Sequence, residues 1–124
     1  MAQPNFLILY VEDCAASQAL YNTLLGQPPV DASPNFAMFA LESGVMLGLW
    51  ARHDVAPAPT PAGGSEIGFT QPDGGAVDAL HADWAARGIV IAQAPTSMDF
   101  GYTFTALDPD GHRLRVFTPA TARV

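Results

Sequence analysis

A strand-turn-strand pattern occurs twice in this chain, and the repetition restricts the possible folds more than any other feature. The second copy spans residues 102–117, with Asp-Pro-Asp-Gly at its turn. Aromatic and β-branched side chains suit a pleated sheet, proline presets φ, and glycine accepts a positive φ in a tight turn. The first copy spans residues 36–50, with Glu-Ser-Gly at its turn. A hairpin that occurs twice predicts a duplicated protein.

Each hairpin follows a predicted strand and a predicted helix. An apolar run at residues 6–11 precedes Asp13, a helix N-cap type, and Gly26 is typical of a helix end. A run at residues 66–71 precedes Asp73 in the same way. Helical spacing predicts a buried face for each helix. In the first helix this face comprises Ala16, Leu20 and Leu24, and in the second it comprises Val77, Leu80 and Trp84. We expect the second helix to end at Gly88.

These patterns predict two βαβββ modules, at about residues 5–51 and 65–118. Residues 52–64 join them and are too rich in proline and glycine for a helix or an interior strand. After the second helix we expect a short strand at residues 89–91 and a loop at 92–101. We predict an α+β fold over residues 1–124, in which the modules form a cup-shaped, mainly antiparallel sheet with the helices outside.

Composition narrows the possible partners. A chain of 124 residues with 49% hydrophobic content fits one compact domain, and its net charge of −7 with only five Lys and Arg excludes the basic patch that nucleic acids or anionic membranes require. Without a long apolar run or a basic N-terminal leader, we expect a cytoplasmic protein. The single Cys14 cannot form an internal disulfide, and we expect a structural role in the first helical turn.

Three short motifs occur in a fixed order: Val-Glu-Asp at 11–13, Leu-Leu-Gly at 24–26 and Asp-Pro-Asp-Gly at 108–111. With this layout the chain resembles the vicinal oxygen chelate superfamily, which includes glyoxalase I, extradiol dioxygenases, and fosfomycin and bleomycin resistance proteins. The resemblance covers residues 6–119. It supports the predicted fold but does not select an activity, because one fold of this kind hosts several activities.

In the metal-dependent branches of that superfamily, His, Gln or Glu at four strand positions hold a divalent cation. Matching those positions places them at Phe6, Gly48, Glu66 and Arg115. Only Glu66 offers a ligand atom, and Arg115 is a permanent cation without an acceptor. The resemblance therefore implies that metal and cofactor are absent, as in the bleomycin-resistance-like branch.

Strand alternation predicts an inward face that is aromatic and aliphatic with a few polar groups, which is typical of a small-molecule pocket. We expect Trp50 to stack on a planar or cationic ligand, and Met98 and Phe100 to close over the pocket. Glu66 and Arg115 either form a salt bridge or contact the ligand. The candidate ligand-binding residues are Phe6, Tyr10, Gly48, Trp50, Glu66, Tyr102, Phe104 and Arg115.

The preferred function is metal-free sequestration of an aromatic or cationic small molecule, such as an antibiotic, by a homodimer. Two alternatives stay open. One is a metal-dependent lyase, isomerase or dioxygenase with rearranged ligands, for example Glu66 with His53 or His112. The other is a metal-independent enzyme in which Glu66 acts as the catalytic general base and Arg115 holds an anionic intermediate. Otherwise we interpret His53, His81 and His112 as surface residues.

Overall fold

A computed structural model describes residues 2–120. The chain forms two compact units, with the boundary between Pro61 and Ala62. Each unit contains one α-helix and one four-stranded sheet. Within residues 2–120, neither helix combines the length and apolar character needed to span a membrane.

The first unit pairs its strands in the order β1-β4-β3-β2. Strand β1 runs parallel to β4, and the other pairs are antiparallel. A short 3-10 helix at Arg52–Asp54 follows the sheet, inside the segment predicted to lack helix. The elements are β1 Phe6–Val11, α1 Cys14–Leu25, β2 Asp31–Ser33, β3 Phe36–Ala40 and β4 Met46–Ala51.

The second unit repeats this topology in the order β5-β8-β7-β6, again with the first and last strands parallel. The predicted α+β fold with two βαβββ modules is therefore confirmed. The elements are β5 Glu66–Thr70, α2 Gly74–Ala86, β6 Val90–Met98, β7 Gly101–Leu107 and β8 Arg113–Pro119.

Both helices begin where the sequence predicts. The Ala16 amide donates to Asp13 Oδ1 at 3.1 Å, and the Ala76 amide donates to Asp73 Oδ1 at 2.8 Å, so each aspartate satisfies an amide that lacks a partner within its helix. Helix α1 ends at Gly26, whose φ of 69° is left-handed and favours glycine.

The buried face of α1 differs from the predicted one. Cys14, Ser17 and Tyr21 are buried, whereas Leu20 and Leu24 are only half-buried and Ala16 is exposed. Both sets have helical spacing, so the apolar pattern alone did not distinguish them. In α2, Val77 and Trp84 are buried as predicted.

Strand β6 is three times as long as predicted, because residues 92–98 are strand rather than loop. It is the edge strand of its sheet and contains Pro95, which an edge position tolerates because proline has no amide hydrogen to donate to a neighbour. Two register shifts, between Ile91 and Gln93 and between Gln93 and Thr96, interrupt its pairing with β7.

Candidate functional site

The second sheet has one face covered by α2 and one open face. Helix α2 contacts β6, β7 and β8, and Leu114 and Val116 of β8 are fully buried. Arg113, Arg115 and Phe117 alternate with them and therefore lie on the open face. The polar and aromatic side chains of β8 that a ligand could reach therefore lie on that open face.

Arg115 is held in one orientation by neighbours on three strands. Its Nε donates to Glu66 Oε1 at 2.7 Å, and its Nη1 lies 3.3 Å from both Gln93 Oε1 and Thr103 Oγ1. Only 15% of the Arg115 side chain is exposed. A guanidinium fixed by several acceptors loses little further freedom when a ligand arrives.

Phe100 adds an aromatic surface to this arrangement. The central carbon of the Arg115 guanidinium lies 5.6 Å from the Phe100 ring centroid, within cation-π range. Phe100 also meets Phe117 edge to face, with centroids 6.0 Å apart. Since 43% of Phe100 is exposed, its ring is available to a ligand.

The irregular pairing of β6 determines which side chain faces Arg115. Regular pairing from Ile91 and Ala106 would bring Ala92 opposite Thr105, but the first register shift brings Gln93 there instead. The Thr105 hydroxyl then donates to Gln93 Oε1 at 3.2 Å. The bulge thereby places a polar amide beside Arg115.

A cavity of about 380 Å³, which we call the second-sheet cavity, lies on this face. Its volume falls in the range of about 300–1,000 Å³ that small-molecule sites occupy. Arg113 is exposed there and forms no ion pair or side-chain hydrogen bond with any other residue in the described part of the chain. The lining residues are Ala92, Gln93, Met98, Thr105, Arg113 and Arg115.

The strand register supports the predicted correspondence of the four metal-ligand positions. Phe6 pairs with Met46 as Glu66 pairs with Arg113. Gly48 and Arg115 lie two residues further along their strands than Met46 and Arg113, so each unit contributes one pair of positions.

Neither pair is suited to hold a cation. A Cβ atom on Gly48 would lie 2.9 Å from the Phe6 ring and 3.1 Å from the Phe36 ring, so two rings occupy the space of a ligand side chain. In the other pair, the Glu66 carboxylate already binds the Arg115 guanidinium. The residues present therefore do not fit the metal of the metal-dependent branches.

The first sheet also has an open face, which we call the first-sheet open face. Trp50 is half-buried there and meets Tyr10 edge to face, with centroids 6.2 Å apart. Phe6 is 42% exposed and Tyr10 36% exposed. With Phe36 opposite Trp50 in the ladder, four aromatic side chains lie on this face.

Two candidate residues, Tyr102 and Phe104, lie on the helix side of their sheet instead of the open face. Phe104 is fully buried and packs edge to face against Trp84 and His81 of α2. The Tyr102 hydroxyl donates to Asp78 of α2 at 2.7 Å. The sequence comparison matched Tyr102 with Phe36, whereas the ladders match Thr103 with Phe36, and this difference of one residue reverses the faces.

The hydrogen bond with Asp78 raises the pKa of Tyr102 above its ordinary value, with smaller contributions from burial and from the Asp78 charge. Ionising the phenol would remove the shared proton and place two negative charges side by side.

A third polar cluster occupies the turn between β7 and β8. Asp108, Asp110 and His112 place their potential ligand atoms within 4.8 Å of one another. Asp108 Oδ1 accepts the amides of Asp110 and His112, and its Oδ2 lies 2.7 Å from His112 Nδ1. These bonds close the Asp-Pro-Asp-Gly turn and pair His112 with Asp108 rather than with Glu66.

Sequence reasoning missed the contributions of Gln93, Thr103 and Thr105. Arg113 lies on the same face of β8 as Arg115, but the sequence did not single it out as a binding residue. Gln93 lay in a predicted loop, and only the bulge brings it opposite Thr105. Met98, which is 44% exposed, lines the cavity from the end of β6.

Comparison with known proteins agrees with this architecture. Residues 3–116 match the model of the Glyoxalase/Bleomycin resistance protein/Dioxygenase superfamily. The chain is 31% identical over 116 residues to the phenazine antibiotic resistance protein EhpR of Enterobacter agglomerans, covering 91% of this chain and 89% of that protein.

Two solved structures illustrate the likeness in three dimensions. A protein from Agrobacterium tumefaciens, solved by solution NMR, is 49% identical, with a TM-score of 0.89 over 97% of this chain and 99% of that one. A glyoxalase-related enzyme from Fulvimarina pelagi shares the fold at 22% identity, with a TM-score of 0.83 over 95% and 88% of the two chains. The family match, the antibiotic-resistance relative and the repeated βαβββ topology agree: this chain belongs to the glyoxalase/bleomycin resistance protein/dioxygenase superfamily.

Proposed function

We propose that this protein binds a planar aromatic small molecule of the phenazine type without a metal ion, and so sequesters an antibiotic. The proposal depends chiefly on the ion pair that stands at the metal-ligand positions of the second unit. Where a metal-dependent relative would offer a ligand, Arg115 binds Glu66 and packs against Phe100. The relationship to a phenazine antibiotic resistance protein supports the ligand class.

The second-sheet cavity supplies what such a ligand needs. Met98 offers apolar surface in the lining, and the exposed Phe100 ring lies beside Arg115. Arg115, Gln93 and Thr105 offer hydrogen-bonding groups at fixed positions. Few polar groups among apolar walls are characteristic of sites that orient a drug-sized molecule. The flat guanidinium of Arg115 also favours a flat ligand, because it stacks on aromatic rings.

Titration calorimetry with phenazine tests this function. We expect wild-type protein to bind in the micromolar range and Phe100→Ala to bind several-fold more weakly, because the ring beside Arg115 is lost. Trp50→Ala is the matched control, since it removes an aromatic side chain from the first-sheet open face. A loss confined to Trp50→Ala would place the ligand on that face instead, and no binding to wild type would refute the proposal.

A homodimer in the cytoplasm remains part of this proposal. Phe6, Leu7 and Ile8 are 42, 39 and 43% exposed, so both faces of β1 offer apolar surface to a second copy. Light scattering coupled to size exclusion measures the mass directly, and a monomer at micromolar concentration would contradict the dimer. Fractionation of cells tests the location.

Catalysis by Glu66 is the competing function. Arg115 Nε donates to its carboxylate at 2.7 Å, and 40% of the Glu66 side chain is exposed on the open face of the second sheet. The pair equally serves to fix Arg115, which is the role we prefer. Turnover of a bound compound that disappears in Glu66→Gln would reverse this preference.

A further inference from the structure

The charges around the second-sheet cavity indicate which chemical group its ligand carries. Two of the lining residues, Arg113 and Arg115, are cations, and no lining residue is an acid. Glu66 lies outside the lining but neutralises Arg115 through their ion pair. The local balance is therefore positive, on a chain whose net charge is −7.

Arg113 provides the uncompensated charge. It lies two residues before Arg115 on the same face of β8, and its ladder partner on β5 is Glu66. The Glu66 carboxylate nevertheless binds Arg115, and Arg113 forms no ion pair with any residue between 2 and 120. Its guanidinium therefore keeps its full donor capacity at the cavity.

We propose that the second-sheet cavity binds an aromatic carboxylate, with Arg113 holding the acid group and the ring lying against Met98 and Phe100. A carboxylate matches the paired N–H groups of a guanidinium, and charge-assisted hydrogen bonds are about twice as strong as neutral ones. This inference rests on the proposed binding function. It replaces the aromatic or cationic ligand expected from the sequence with an aromatic anion.

The experiment compares two probes that differ only in the acid group, phenazine and phenazine-1-carboxylate, at pH 7.5 and low ionic strength. We expect wild-type protein to bind the carboxylate roughly tenfold more tightly than phenazine. Arg113→Gln should remove that advantage, so that this variant binds the two probes with similar affinity. Arg113→Lys should restore part of it, since lysine keeps the charge but not the planar fork.

Arg87→Gln is the matched control for net charge. Arg87 belongs to the same unit but caps α2, where its Nε lies 3.1 Å from Asp83. We expect this variant to bind both probes as wild type does, and all variants should melt at similar temperatures because both arginines are exposed.

The possible failures are distinguishable. If neither probe binds wild type, the proposed function fails. If phenazine binds but the carboxylate has no advantage, or if Arg113→Gln keeps the advantage, the function stands and the assignment of an acid group to Arg113 is wrong. An equal loss in Arg87→Gln and Arg113→Gln would show a general charge effect and would also overturn the assignment.

Discussion

At the residue scale, the ion pair between Glu66 and Arg115 determines the orientation and the local charge of Arg115 on the open face of the second sheet. Its geometry is close, but 40% of the Glu66 side chain is exposed, so water screens the attraction. The pair therefore contributes to the orientation of Arg115 more than to the stability of the fold.

Glu66→Gln tests what the pair contributes to stability and to the charge of the cavity. We expect the free energy of unfolding to fall by no more than about 1 kcal/mol in urea titrations, because partly exposed ion pairs contribute little. The same variant should bind phenazine-1-carboxylate about three to ten times more tightly, because the charge of Arg115 is no longer neutralised. Weaker binding of the carboxylate by Glu66→Gln would contradict the positive balance that we assign to the cavity.

Tyr102 provides a prediction for alkaline pH. Because its pKa is raised in the folded state, chiefly by the hydrogen bond to Asp78, this bond stabilises the fold below the ordinary tyrosine pKa of 10.0. The stabilisation is lost as pH rises from there through the raised value. Absorbance titration at alkaline pH should show one tyrosine that ionises earlier in Asp78→Asn than in wild type, and superimposable curves would contradict the bond.

At the element scale, Gly101 controls the pairing at the start of β7. Its φ is 150°, and a Cβ atom there would collide with the carbonyl oxygen of Thr118 on β8. Gly111 also has a positive φ, of 86°, but open space around it. The two glycines therefore separate the cost of backbone strain from the cost of a clash.

We expect Gly101→Ala to lower the free energy of unfolding by roughly 3 kcal/mol or more, because strain and overpacking add. Gly111→Ala should cost about 1 kcal/mol, because only strain remains. Urea denaturation of both variants measures the difference, and equal losses would show that the ladder accommodates the extra methyl group at Gly101.

The elements also show how far the sequence could determine the fold. Caps at Asp13 and Asp73 and two repeated hairpins were sufficient for both modules, since these signals act over a few residues. The buried stripe of α1 and the length of β6 were not predictable, because they depend on which neighbours pack against them. A bulge adds one residue to a strand, and no sequence pattern located the one that turns Gln93 toward Arg115.

The same limit explains which candidate residues lie on an open face of a sheet. Phe6, Tyr10, Trp50, Glu66 and Arg115 follow a regular period from identifiable strand starts, and each lies on an open face. Tyr102 and Phe104 were misplaced because the second hairpin was aligned one residue out of register, and alternation converts such an error into the opposite face.

At the scale of the whole molecule, the two units retain the same topology while their corresponding positions have diverged. In the first unit the rings of Phe6 and Phe36 pack next to Gly48, and in the second unit Glu66 and Arg115 form an ion pair. Neither set of side chains is suited to hold a divalent cation. The proposed metal-free binding depends on this difference from the metal-dependent branches.

The most direct test is calorimetric titration of phenazine-1-carboxylate into protein dialysed against a strong chelator, with its metal content measured by elemental analysis. We predict micromolar binding that persists in the metal-free protein and does not change when zinc, nickel, iron or manganese is added. Binding that disappears on chelation and returns with one of these ions would contradict it.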